Sequence, residues 1–210
     1  MTERTDPMFM PWYYAIGILS WPVVSLLFRL RARGLENLPE GGFVLAGNHV
    51  SNFDPWPIGF PLWPKRRLRW MAKAELFKPV LATLIRRGGA FPVRRGMRDT
   101  AAIRTAIELA RAGDVIMMFP EGTRREKGLR KKFRPKAHTG SARIALAAGV
   151  PLVPAAIAGT DRLSRLGPLR VAYGTPIPLD DLDGHDLGKA SEIATERLMK
   201  KIKELEESLQ

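Results

Sequence analysis

The sequence predicts an α/β domain, with a central, mostly parallel sheet flanked by helices, preceded by an N-terminal two-helix membrane anchor. Three observations carry this reading. Beyond Gly34, short apolar runs alternate with stretches of helical spacing, the order expected of parallel strands joined by helices. Ahead of them, residues 7–28 form 22 consecutive positions without a charge, bounded by Asp6 and by Arg29, Arg31 and Arg33. Finally, 210 residues with 45% hydrophobic and 26% charged side chains suit one core with a short appendage, not a disordered chain or a multi-span protein.

The uncharged run has about the length of a membrane span. Pro11 and Pro22 interrupt it, however, and Trp12, Tyr13, Tyr14 and Trp21 recur through it instead of marking its ends. Because a proline breaks or kinks a helix, the run reads as two short helices, about 10–20 and 22–32, dipping into one membrane face with interfacial aromatics. A single span is the alternative. The segment boundary falls at residue 33, with the α/β domain over 34–210.

Six apolar runs predict strands at 43–46, 68–72, 90–93, 115–119, 152–157 and 169–173. Between them, Asp99 is an N-cap candidate for a helix carrying Ile103, Ala106, Ile107 and Ala110 and stopping at Gly113. A second helix covers 141–148 and ends at Gly149. The last, 189–209, places Ile193, Leu198, Ile202, Leu205 and Leu209 on one face and packs against the domain. Residues 127–136, rich in Lys and Arg, read as a loop.

Composition narrows the chemistry. With no cysteine, the chain has no disulfide, no thiolate zinc site and no covalent enzyme thiol. Three scattered histidines do not predict a metal site. The formal charge of +13 is uneven: residues 65–143 carry 22 Lys and Arg against 6 Asp and Glu, an excess of +16, while the rest carry 12 against 15. The excess predicts an anion site in the middle of the chain, for nucleic acid, an anionic membrane or an acidic partner, with a solubilising basic surface as the alternative.

Four segments can carry chemistry. In Gly47-Asn48-His49-Val50-Ser51-Asn52-Phe53-Asp54-Pro55, a histidine follows a strand and a carboxylate follows it by five residues. Asp54 can turn back to accept a hydrogen bond from one imidazole nitrogen while the other faces a substrate hydroxyl; read alone, the pair also fits an ordinary loop contact. Phe119-Pro120-Glu121-Gly122-Thr123-Arg124 puts a glycine and an arginine beyond another strand, where α/β folds place ligands and where Arg can make paired bonds to phosphate. Gly89-Ala90-Phe91-Pro92-Val93-Arg94 places an arginine beyond a third strand, and Val150-Pro151-Leu152-Val153-Pro154 introduces a fourth. His138 and His185 lack such a neighbourhood and read as surface residues. Trp56, Trp63 and Trp70 are candidates for an apolar groove or for core.

Together and in this order, these segments resemble the glycerophospholipid acyltransferase family. Its HxxxxD signature matches at His49 and Asp54, its GxxFxxR block at Gly88, Phe91 and Arg94, its PEGTR block at residues 120–124, and its VPxVP block at residues 150–154. The likeness spans about 35–178; Pro92-Val93 departs from the aliphatic–aspartate pair many members carry. The resemblance implies transfer of a fatty acyl group from acyl-CoA or acyl carrier protein to the free hydroxyl of 1-acylglycerol-3-phosphate, giving phosphatidic acid. It implies His49 as general base, Asp54 as its orienter, and Arg94, Glu121, Gly122, Thr123 and Arg124 as the acceptor's phosphate site, with backbone N–H groups near Gly122 assisting. No cofactor or metal is implied beyond the acyl donor. Expected partners are anionic membrane lipids, lysophosphatidic acid and the acyl-CoA or acyl carrier protein, with no nucleic acid, at the cytoplasmic face of a membrane. The alternatives are an acyltransferase for another lysophospholipid or alcohol, and a nonenzymatic basic protein binding membranes or nucleic acid.

Overall fold

The computed structural model describes residues 9–94, 99–122 and 137–209. Seven strands form one sheet: β1 (Arg31–Arg33), β2 (Phe43–Gly47), β3 (Leu68–Lys73), β4 (Ala90–Val93), β5 (Val115–Met118), β6 (Leu152–Ala158) and β7 (Arg170–Tyr173). Their order is β1-β7-β6-β2-β5-β3-β4, and every pairing is parallel except β6 with β7. The six apolar runs all form strands, with ends within one residue of expectation. Each is an apolar run because a parallel sheet covered on both faces buries successive side chains alike. Every residue of β2, at the centre, is buried.

Among the described residues six α-helices flank the sheet: α1 (Phe9–Pro22), α2 (Pro55–Gly59), α3 (Pro79–Arg87), α4 (Thr100–Arg111), α5 (Gly140–Ala148) and α6 (Leu187–Glu207). Strand alternation splits the core. Val44 and Ala46 of β2 pack with Ala106, Leu109, Ile144, Ala145, Leu198 and Ile202 from α4, α5 and α6. Phe43 and Leu45 face the other side with Ile58, Leu62 and Tyr173. Asp99 caps α4 as expected, its Oδ1 accepting from the Ala102 N–H at 3.1 Å, while Oδ2 accepts from the Arg94 N–H at 2.9 Å. These two backbone donors hold the Asp99 carboxyl below its ordinary pKa.

The N-terminal segment differs from expectation. It holds one α-helix, α1, which ends at Pro22 and relaxes into a single π-helical turn, Val23–Leu27. A proline lacks the N–H that would continue the ladder, so the helix widens there. No second helix runs to residue 32. Instead the chain bends at Arg29, with φ of 44°, and enters β1, which pairs in parallel with β7 at the sheet edge. Among the described residues no helix is long and apolar enough to cross a membrane.

Candidate active site

Parallel strands direct their carboxyl ends to one rim, where α/β folds bind ligands. His49 follows β2, whose two neighbours in the sheet are β5 and β6, so the loops after these three strands meet. His49 Nδ1–H donates to Asp54 Oδ2 at 2.8 Å. That same oxygen accepts from the Val50 N–H at 2.6 Å and the Ser51 N–H at 2.8 Å. The turn from His49 to Asp54 is thus wound around the carboxylate, and Asp54 stands immediately before α2. The partner at Nδ1 sets the tautomer, leaving Nε2 with its lone pair. Among the described residues Nε2 has no hydrogen-bond partner. Asp54 is fully buried and His49 nearly so.

The segment after β5 closes the other side. Phe119 stacks on the His49 imidazole, with centroids 4.0 Å apart and planes inclined by 16°. Glu121 is buried. Gly122 has φ of +67°, a backbone conformation that favours glycine, and a Cβ there would meet the His138 ring at 2.5 Å unless that exposed side chain moved. Its N–H donates to the Phe119 carbonyl at 3.0 Å. That donor closes the turn after β5. Thr123 and Arg124 lie outside the described residues. His138, read as a surface residue, is exposed but packs on Gly122, and its N–H donates to the Pro120 carbonyl at 2.8 Å.

Arg94 reaches the same rim from β4, at the far edge of the sheet. Three strand spacings, about 14 Å, separate β4 from β2 along this rim. Beside Arg94, Lys73 ends β3 in register with Val93 and is exposed; an apolar strand closed by a lysine was the signal for it. Two further residues escape sequence reasoning. Asn48 donates to the Ile157 carbonyl at 3.0 Å and accepts from the Ile157 N–H at 2.8 Å, tying β2 to β6. Thr160, just beyond β6, donates its hydroxyl to Asp54 Oδ1 at 2.6 Å.

The model of the Acyltransferase family matches residues 29–158, a stretch running from the entry of β1 to the end of β6. The chain belongs to the Acyltransferase family. This decides for an enzyme over a nonenzymatic binding protein. Its relatives include the 1-acyl-sn-glycerol-3-phosphate acyltransferase of Bacillus subtilis, 31% identical over 192 residues, covering 89% of this chain and 93% of that one. The enzyme of the same name from Streptococcus pneumoniae is 28% identical, over 86% of this chain and 67% of its own length. In fold, the acyltransferase is similar to the crystal structure of the 1-acyl-sn-glycerophosphate acyltransferase PlsC from Thermotoga maritima. The two share a TM-score of 0.59 and 22% identity over 98% of each chain.

Next to the His49–Asp54 turn, the acyltransferase has an apolar cavity of about 280 Å³ between α1 and the α2 region. Trp56, Trp63 and Trp70 all line it, together with Phe53 of the His49–Asp54 turn. α1 lies against this wall so closely that a Cβ on Gly17 would fall 2.2 Å from the Trp63 ring. Tyr13 of α1 donates to the Arg66 carbonyl at 3.1 Å and accepts from the Leu68 N–H at 3.2 Å. On the far side of α2, the Tyr173 hydroxyl donates to the Ile58 carbonyl at 2.5 Å, and burial pushes that phenol well above its ordinary pKa.

Proposed function

We propose that this acyltransferase moves a fatty acyl group from a thioester donor, acyl-CoA or acyl carrier protein, to the free hydroxyl of 1-acylglycerol-3-phosphate. The His49–Asp54 pair carries the reading. Neutral Nε2 takes the acceptor's hydroxyl proton as that oxygen bonds to the thioester carbonyl carbon. The carbon–sulfur bond then breaks, and the imidazolium returns the proton to the departing thiolate. Asp54 holds the tautomer throughout and stabilises the transient positive charge. The chain supplies no cysteine for an acyl-enzyme, which agrees with direct attack. The names of the relatives support the acceptor, and the apolar cavity beside the His49–Asp54 turn suits an acyl chain.

Arg94 and Arg124 then bind the acceptor's phosphate, with Glu121, Gly122 and Thr123 completing that site. The test is a mass-spectrometric product assay of the purified protein with a panel of lysolipids and both donors. Phosphatidic acid from lysophosphatidic acid is the expected product; exclusive acylation of a phosphate-free alcohol overturns this acceptor. On the same substrates, Arg94→Ala and Arg124→Lys should raise the acceptor KM about tenfold while leaving the donor KM near its original value, because paired bonds from arginine to phosphate are lost. Equal weakening toward both substrates contradicts a dedicated phosphate site.

The protein works, on this proposal, at the cytoplasmic surface of a membrane. Support comes from Ile18, Leu19, Trp21 and Leu26, all more than half exposed on α1 and the turn after it, and from the arginines that follow. An exposed apolar face of this kind marks an interaction site, and basic residues favour the cytoplasmic side. Deleting residues 1–32 would also remove most of β1 and the Tyr13 contacts, so point changes are the cleaner probe. The Ile18→Asp, Leu19→Asp double variant should move from the membrane pellet to the soluble fraction; sedimentation equal to the unaltered protein sinks the anchor.

A further inference from the structure

Asp54 is fully buried, and a buried carboxylate persists as an anion only where its oxygens are hydrogen-bonded. Oδ2 has three donors, all from the turn that contains Asp54 itself: His49 Nδ1–H and the Val50 and Ser51 N–H groups. Oδ1 has one, the hydroxyl of Thr160, 106 residues away and itself only 3% exposed. The delivery of that hydroxyl is built into the fold. Asn48 clamps Ile157 of β6 with two hydrogen bonds. The chain then turns at Gly159, whose φ is +99° and where a Cβ would lie 2.7 Å from the Pro168 carbonyl oxygen, and Thr160 follows.

We infer that Thr160 is a positioning residue for acyl transfer: its hydroxyl locks the plane of the Asp54 carboxylate so that Oδ2 stays aligned with His49 Nδ1. The inference rests on His49 and Asp54 acting as base and orienter. Without the threonine hydroxyl, Oδ1 is a buried acceptor with no donor. The carboxylate then gains by rotating to share the Val50 and Ser51 N–H groups between its oxygens, or by taking up a proton. Either change loosens the imidazole and lets the wrong tautomer form. The backbone of the turn keeps its place, since Tyr173 holds α2 independently. The loss therefore falls on the chemical step and not on substrate binding.

Thr160→Val keeps the shape and removes the donor; Thr160→Ser keeps the donor. With the best donor and acceptor, we expect Thr160→Val to lower kcat about 10- to 100-fold, the range for a hydrogen bond to a charged group, with both KM values within about twofold. Thr160→Ser should restore kcat to within about threefold. In histidine side-chain NMR, the low-field Nδ1 proton of His49 should be present in the unaltered and serine proteins and absent from Thr160→Val and Asp54→Asn. Should Thr160→Val not fold, Thr160→Ala carries the same expectations without added bulk. A folded Thr160→Val protein with normal kcat and an intact Nδ1 proton overturns the inference if Asp54→Asn is inactive. Equal loss in the serine and valine variants also overturns it, because that marks a packing role. Normal turnover by Asp54→Asn instead removes the base-and-orienter reading itself.

Discussion

His49→Ala is expected to lower kcat roughly a hundred- to ten-thousand-fold, the contribution of a positioned general base, while the protein stays folded and still binds lysolipid. An alcohol is a weak nucleophile near neutral pH, and the imidazole whose Nδ1 is held by Asp54 at 2.8 Å presents Nε2 to take its proton. Asp54→Asn should be nearly as damaging, since an amide at that site no longer enforces the tautomer. The double variant should be little worse than His49→Ala, because residues acting as a unit do not add. The pair also braces the turn between β2 and α2, as the Val50 and Ser51 hydrogen bonds show. A purely bracing role would lower the melting temperature and spare kcat in the molecules that remain folded. Measuring both quantities on one preparation separates the two, and a folded His49→Ala protein with near-normal kcat ends the general-base proposal.

The largest effect on stability is expected from Asp114→Ala. Asp114 sits between α4 and β5 with 1% exposure, its carboxylate 2.7 Å from Arg67 Nη2 and 4.0 Å from Arg69 Nε. Arg69 is itself 2% exposed, on a strand that pairs with β5. Removing one member of a buried ion pair leaves the other charge in a medium that solvates it poorly, at about 3–5 kcal/mol. For a domain of this size that lowers the melting temperature by on the order of 10 °C. Calorimetry of the variant is the check; a melting temperature within about 2 °C of the unaltered protein means the buried pair contributes no net stability. Arg69→Met together with Asp114→Leu should recover much of the loss, since the two fully buried charges go at once and Arg67, whose side chain is 24% exposed, is left with access to solvent.

The strands that build the centre were legible because their burial is two-sided. Runs such as residues 115–118 and 152–158 have almost no polar position, and only a covered parallel sheet makes use of that. β1 carried no such signal. Its sequence is Arg-Ala-Arg, and it becomes a strand because β7 offers an open edge and the Leu169 carbonyl accepts its first N–H. α2 and α3 were also missed. α2 is five residues with two prolines and too short for a helical period, whereas α3 has the spacing of an amphipathic helix but leaves Leu81 and Leu84 exposed instead of packing them on the core.

At the site, the same division follows distance along the chain. His49 and Asp54 are five residues apart, within reach of one turn, so their types and spacing alone made a hydrogen bond the natural expectation. The PEGTR and GxxFxxR segments were recognisable as strand ends followed by arginine, and the order of the blocks was enough to suggest the family. The sequence thus determined six of the sheet's seven strands and the pairing of His49 with Asp54. Which groups complete that pair was decided by the tertiary structure. Phe119 stacks on His49 because β5 adjoins β2, and Thr160 reaches Asp54 because β6 adjoins β2 on the other side. Strand order is a cooperative result of packing helices on both faces of a twisted sheet. No local pattern encodes that a threonine 106 residues downstream is the nearest donor to a buried carboxylate oxygen.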